Sequence, residues 1–506
     1  MFSAFFAGFH SLLTINGVLL LLFGSFLGTI VGTIPGLGGA VLLTMLLPFI
    51  YGMPVIPALC LLLAAHTGIY FSGSITAILL NTPGAPESAA TTFDGYAMTK
   101  QGKAARALGI SAVSTTIGGW IGVALLLIVI PLMFQLIKLF QPSEYLMLAV
   151  LAIVLIGQMM SGSLTKGLLS GLFGLMISFV GYDPITGVQR FSFNLLSLYN
   201  GFNITAVALG LFAFAEMFYL YGKNKSASGE VRIGLKGNAA GSRVMDGVRD
   251  VFRNKWLMVR SAVLGTLLGV VPGIGGVAAN FISYGQAVKT SRHPEKFGSG
   301  IPEGIIAPES SSISKEAGNL IPTVALGVPG GVGMAVLMSG FTILGIVPGP
   351  TMLTQHLDAV FAMAIVIALG SLVSSAMGLS IAPYLAKISQ VPSRVLVPFI
   401  LVLGVLGVYA SNRDMGQVLA VLGFGFIGLL MKRFRYSIPA AMIGYILGTV
   451  AEQNLYLVKQ LQGWSMFSRP LTDLMALITL ALVIGPYVRR GKKTSQPSDE
   501  REEMRA

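Results

Sequence analysis

Two thirteen-residue stretches, LGTIVGTIPGLGG at 27–39 and LGTLLGVVPGIGG at 264–276, differ only by exchanges among small or aliphatic residues. In each, a proline (Pro35, Pro272) ends one apolar run, and glycines follow: Gly36, Gly38 and Gly39 in the first, Gly273, Gly275 and Gly276 in the second. Such glycines permit positive φ and close backbone approach, and a new apolar run begins directly after them. The pattern predicts a helix broken inside a membrane, with a fresh helix N-terminus at the break. An end of that kind leaves several N–H groups without partners and carries roughly half a positive charge, so it attracts a carboxylate. A second pair, ILLNTPGAPESAA at 78–90 and VALGVPGGVGMAV at 324–336, follows each first motif at a similar distance. Its Asn81, Thr82, Pro83 and Gly84, and its Gly327, Val328, Pro329 and Gly330, read as tips of re-entrant hairpins, which survive at depth only if buried or lining a wet cavity. None of the four motifs contains a basic residue, so an anion is expected to be held by backbone donors and hydroxyls.

Cation chemistry has its own candidates. Ser72, Ser74, Thr76, Asn81 and Thr82, with carbonyls freed at the tip, offer the hard oxygens that suit Na⁺. Serine and threonine also bond their own helix's carbonyls, a purely structural use. Glu309, followed by Ser310, Ser311 and Ser312, is the best candidate for a buried carboxylate that binds a cation or a proton, the alternative being a helix-start carboxylate beside Pro308. Lys315 could pair with Glu309 or approach an anion. His66, alone in an apolar stretch, reads first as a packing histidine and second as a proton carrier. GAPES at 84–88 and APES at 307–310 look alike but do not align in the register of the longer repeats.

The elements that must position these residues are membrane helices. The 506 residues are 54% hydrophobic and 10% charged, with a mean hydropathy of +0.79. Continuous apolar runs near helix-spanning length recur, which predicts an all-α polytopic membrane protein and not a closed barrel. The net charge of +13 lies in short basic runs between apolar segments, the signature of cytoplasmic loops and not of a nucleic-acid surface. No Lys or Arg precedes Lys100, so a cleavable signal peptide is not expected, and the single Cys60 reads as a packing residue.

About 12 membrane segments are expected, arranged as two inverted-topology repeats at 1–222 and 257–452 around a basic cytoplasmic linker at 223–256. An extra C-terminal span at 453–490 and a disordered tail at 491–506 complete the chain. Counting back from the linker places the N-terminus outside, and the tail's Arg489, Arg490, Lys492 and Lys493 place the C-terminus inside. No HExxH, GxSxG, GxGxxG or metal-spaced His/Cys cluster occurs, so neither an enzyme nor a resident cofactor is expected.

PGLGG, then SGSITAILLNTPG with TTFDGYAM and GKAARALG, then PGIGG, FGSGIPEGIIAPES and LGVPG together resemble the large membrane subunit of the tripartite tricarboxylate transporters, in the same order and over nearly the whole chain. The resemblance implies a permease of the bacterial inner membrane that works with a small membrane subunit and a periplasmic solute-binding protein. The substrates it implies are carboxylates such as citrate, imported with Na⁺ or H⁺. Two departures stand out: Phe71-Ser72-Gly73-Ser74-Ile75 where the family tends to show Tyr-Gly-Gly-Ser-Ile, and Ser311-Ser312-Ile313 where asparagines are usual. If that segment lines the site, the ligand differs from citrate. The competing readings are a passive anion channel, which needs a continuous polar path, and a non-transporting scaffold.

Overall fold

The structure, a computed structural model, describes residues 2–35, 37–137, 139–160, 163–183, 185–223, 243–272, 275–388 and 393–493. Two expected site residues, Gly36 and Gly273, lie outside the described residues, as do linker residues 224–242 and the tail from 494. The first part of the chain forms α1 (Phe2–Leu13), α2 (Ile15–Val31), α3 (Gly39–Leu46), α4 (Val55–Leu80), α5 (Thr91–Lys100), α6 (Ala104–Ile137), α7 (Pro142–Met160) and α8 (Leu164–Ser178). Two-residue strands β1 (Gly181–Tyr182) and β2 (Gln189–Arg190) pair antiparallel. Then α9 (Ile204–Ala208) passes through a π-helical turn, Leu209–Phe214, into α10 (Ala215–Lys223). After α11 (Val244–Arg253) come α12 (Lys255–Val270), α13 (Gly276–Thr290), α14 (Glu303–Leu326), α15 (Val332–Ile343), α16 (Pro350–Gln355), α17 (Leu357–Ile388), α18 (Ser393–Asn412), α19 (Met415–Arg433), α20 (Ile438–Leu461) and α21 (Pro470–Lys493).

This is an all-α polytopic membrane protein. Among the described residues six helices are long and apolar enough to cross a bilayer, seven if the pair α1 and α2, bent by 73°, counts as one span. The bend sits at Thr14, whose hydroxyl caps α2 by accepting from Gly17 N at 3.2 Å. Shorter apolar helices, α3 and α15 among them, fill in between.

At the centre stand α4 and α14. Of the most apolar part of α4, 83% is buried, against 33% of that of α6, so α4 is a core helix while the apolar stretch of α6 faces outward. Almost every residue of α14 is buried too, although it carries Glu309, Lys315 and Glu316. Their packing repeats between halves. Gly28 of α2 and Gly32, its C-cap, lie against Ala65 to Ser72 of α4, and Gly265 and Gly269 of α12 lie against Ser311 to Asn319 of α14. A side chain at any of these four glycines would overlap the partner's backbone or side-chain atoms, so the absence of one is what lets the helices approach. Each core helix also packs on the long helix of the other half, α4 on α17 and α14 on α6. The outer helices exchange in the same way, α20 packing on α7 and α8 while the π turn and α10 pack on α19 and α18.

The sequence divides 55–86 into two apolar segments near Gly73. The structure instead runs α4 unbroken to Leu80. Gly73 is there because the chain folds back over it: Gly84 N–H donates to Gly73 O at 3.2 Å, and a Cβ on Gly73 would lie 2.8 Å from Ala85 N. The proposed hairpin tips therefore sit at the ends of long core helices. They are built alike. Asn81 (φ 56°) and Gly327 (φ 70°) are left-handed C-caps whose N–H groups donate to Thr76 O and Pro322 O. Similarly, α20 continues past residue 452 to Leu461.

Candidate functional site

The two helix breaks fall where the repeated motifs place them, and their geometry differs. Gly38, the N-cap of α3, has φ −71° and ψ 172°, which any residue adopts. Gly275, the N-cap of α13, has φ 72° and ψ 149°, a combination essentially confined to glycine. Neither N-cap has a side chain to accept from the first turn, so the opening N–H groups of α3 and α13 have no side-chain cap.

Both helix starts meet one buried polar network. A Cβ on Gly39 would lie 2.6 Å from His66 Nδ1, and one on Gly333, in the first turn of α15, would lie 2.4 Å from His66 Cε1. A Cβ on Gly276 would lie 2.4 Å from Lys315 Nζ and 2.5 Å from Glu87 Cγ. Between these points His66 Nε2 is 3.3 Å from Glu316 Oε2, and Lys315 Nζ is 2.5 Å from Glu316 Oε1. The Tyr70 hydroxyl donates to that same Oε1. His66, Tyr70, Lys315 and Glu316 are all buried. The chain Gly39–His66–Glu316–Lys315–Gly276 thus joins the broken helix of one half to that of the other. The four motifs contain no basic residue, but α4 and α14 bring His66 and Lys315 to the two helix starts. Lys315 pairs with Glu316, and not with Glu309.

Glu309 occupies a second buried position on α14. Its Oε1 accepts from Ser74 Oγ at 2.6 Å and Thr91 Oγ1 at 2.5 Å; its Oε2 accepts from Ser111 Oγ and Thr115 Oγ1, both at 2.8 Å. Ser88 Oγ is 3.1 Å from Ser74 Oγ, so the two PES segments that fail to align as repeats do approach the same cluster. Ser72 belongs elsewhere. Its hydroxyl bonds the carbonyls of Gly68, Ile69 and Gly28, the structural use open to any helical serine. Ser310 Oγ is buried without a hydrogen-bond partner among the described residues, and Ser310 packs against Gly118.

The tips share a fold but not an environment. Gly327, Pro329 and Gly330 are buried, with Gly330 N–H on Thr323 Oγ1 at 3.3 Å. Asn81 and Thr82 are exposed, Pro83 is half-buried, and Gly84 packs into Gly32 and Gly73. Sequence reasoning missed Thr91, Ser111, Thr115 and Tyr70. The three hydroxyl residues carry no local signal, because only helix packing brings them to Glu309; Tyr70, one turn after His66 on the same helix face, could have been found from that spacing.

Several other charged residues make local hydrogen bonds and ion pairs. Asp94 Oδ1 accepts from the N–H groups of Gly298, Gly300 and Ile301, which pins the loop before α14 to α5. Arg106 grips Asp250 of α11 with bonds of 2.5 and 2.8 Å. Glu216 pairs with Lys432, and Glu452 with Arg190 at 2.5 Å. In the loop beside Arg190, hydrogen bonds from the Thr186 hydroxyl and the Ile185 amide hold Asp183 below the usual carboxylate range. A cavity of about 330 Å³ lies apart from the helix starts, bounded by Ser178, Ile204, Thr342, Tyr445, Thr449 and Gln453 among others.

Residues 18–443 match the family described as the tripartite tricarboxylate transporter TctA family. An uncharacterized 52.8 kDa protein of the TAR-I ttuC' 3' region of Agrobacterium vitis is 31% identical over 483 residues, covering 94% of both chains. An uncharacterized protein of the TAR-II ttuC' 3' region of the same organism is 31% identical over 191 residues, 38% of this chain and 79% of its own length. No solved structure matches.

Proposed function

The chain belongs to the tripartite tricarboxylate transporter TctA family, a family of transporter large subunits, and from that premise we propose that it is a permease importing di- or tricarboxylates across a bacterial inner membrane. It works with a small membrane subunit and a periplasmic solute-binding protein, its N-terminus periplasmic and its C-terminus cytoplasmic. The observation that carries the reading is the meeting of both broken-helix starts at one network that includes His66 and Lys315. Uncapped amides supply donors and partial positive charge from two sides, and the two side chains add charge-assisted donors of the kind that bind carboxylates most strongly. Pro35 and Gly39, with Pro272, Gly275 and Gly276, shape that anion position. Asn81 to Gly84 and Gly327, Pro329 and Gly330 end the two core helices that carry it.

Inward cation coupling drives accumulation. Glu309, ringed by the hydroxyls of Ser74, Thr91, Ser111 and Thr115, offers one carboxylate and several hard oxygens in a buried position, a donor set suited to Na⁺. Movement of one half against the other about the swapped packing of α4 on α17 and α14 on α6 would expose the anion position to each side in turn. The test is uptake of labelled carboxylates by cells expressing all three components, with and without Na⁺ and with the gradients collapsed. Accumulation above equilibrium that disappears with the gradients supports the proposal; flux that only equilibrates identifies a passive channel, and no flux a scaffold.

A further inference from the structure

Resting on that reading of the site, we infer that His66 admits the anion by taking a proton at Nδ1, so that carboxylate and proton arrive at the start of α3 together. The two ring nitrogens face different surroundings. Nε2 lies 3.3 Å from a Glu316 carboxylate oxygen, and the Tyr70 hydroxyl 3.3 Å away on the same side donates its own hydrogen to Glu316. A carboxylate only accepts, so in the neutral ring Nε2 carries the hydrogen and Nδ1 presents a lone pair. Nδ1 is buried, has no hydrogen-bond partner among the described residues, and lies on the ring edge packed against Gly39, where a Cβ would be 2.6 Å from Nδ1 and 2.7 Å from Cε1.

A carboxylate oxygen approaching the amides of α3 therefore meets a lone pair where it needs a donor. A proton on Nδ1 reverses this. The ring becomes a cation that keeps its Nε2–H on Glu316 and offers Nδ1–H to the guest. One N–H bond forms as the anion binds and breaks as it leaves, the proton coming from one aqueous phase and passing to the other; no bond of the substrate changes. The surrounding groups permit this. From α14 the ring faces Glu316, itself neutralised by Lys315, with Glu87 beside Lys315. On its own helix it has Tyr70; α3 and α15 bring Gly39 and Gly333, and α17 meets α4 one residue along through Gly370 against Thr67.

The experiment uses the three-component transporter in proteoliposomes at fixed Na⁺, between pH 6.5 and 8.5, with whichever of succinate and citrate the wild type accumulates. The wild type should take up one proton per anion in weakly buffered medium, and its apparent affinity should fall toward tenfold per pH unit on the alkaline side. His66→Gln, whose amide donates at every pH, should show an anion affinity that no longer varies with pH and should lose proton-driven accumulation. Tyr70→Phe should keep the slope. Anion binding with no proton uptake by the wild type, or an unchanged pH slope in His66→Gln, overturns the inference while leaving carboxylate transport in place. A wild type that moves neither anion removes the functional reading, and this inference with it.

Discussion

Glycine 39 and its neighbour 38 should behave as opposites. A Cβ on Gly38 meets only Pro86 Cδ at 3.9 Å, and its backbone angles suit any residue, so Gly38→Ala should bind as the wild type does and be up to about 0.5 kcal/mol more stable. Gly39→Ala drives a methyl group into His66 Nδ1 and should lower anion affinity at least tenfold, about 1.4 kcal/mol, in equilibrium binding. At Glu309 the donors are the point. Ser111→Ala or Thr115→Ala removes one of four hydroxyls from a buried carboxylate and should destabilise the fold by about 1–3 kcal/mol, read as a lower Tm in detergent. Restoring a hydroxyl with Ser111→Thr or Thr115→Ser should recover most of that loss. The candidate glycines were legible in the sequence because duplication marks them. The partners of Glu309 were not, since Thr91, Ser111 and Thr115 lie on helices whose convergence no local pattern records.

At the scale of elements, two of the ion pairs that join the halves follow the repeat. Glu216 of α10 reaches Lys432 at the end of α19, and Glu452 of α20 reaches Arg190 after α8, so each pair ties one half to the other. Reversing one charge, as in Glu216→Lys or Lys432→Glu, should lower Tm, and the double exchange should restore much of it, with a coupling of about 0.5–3 kcal/mol. The result would show that the contact itself, and not the individual charges, holds the helices together. Helix boundaries were readable where a Pro-Gly break or a polar loop ends an apolar run. They were misread at Gly73, where a glycine serves the chain folding back over α4. A glycine marks either a break or a close approach, and the distinction lies in what packs above it.

For the whole molecule, membrane character followed from composition, whereas inversion rests on the charge of the loops. With Cys60 buried and the only cysteine, a Cys60→Ala background makes single-cysteine labelling clean. If the halves are inverted, a cysteine at the exposed Tyr51, in the turn after α3 that corresponds to the loop after α13, should react with a membrane-impermeant maleimide from outside the cell. One at Ser291, in the loop after α13, should react only after permeabilisation. Labelling of both from the same side would mean parallel halves, and the two helix starts could not then face each other across a pseudo-symmetric centre. The exchange of partners between halves also explains why the centre carries charge at all. Residues from α4, α14 and the chain after Gly84 neutralise one another there, and no single segment contains the set.

The central claim is that a carboxylate binds where α3 and α13 begin, and a density map of the intact transporter with saturating succinate or citrate examines it directly. Ligand density bounded by Gly39, Gly276, His66 and Lys315, with Glu316 drawn away from Lys315, is the predicted result. Density instead in the cavity beside Tyr445 and Gln453, with both helix starts still closed on the Glu316 network, would contradict it.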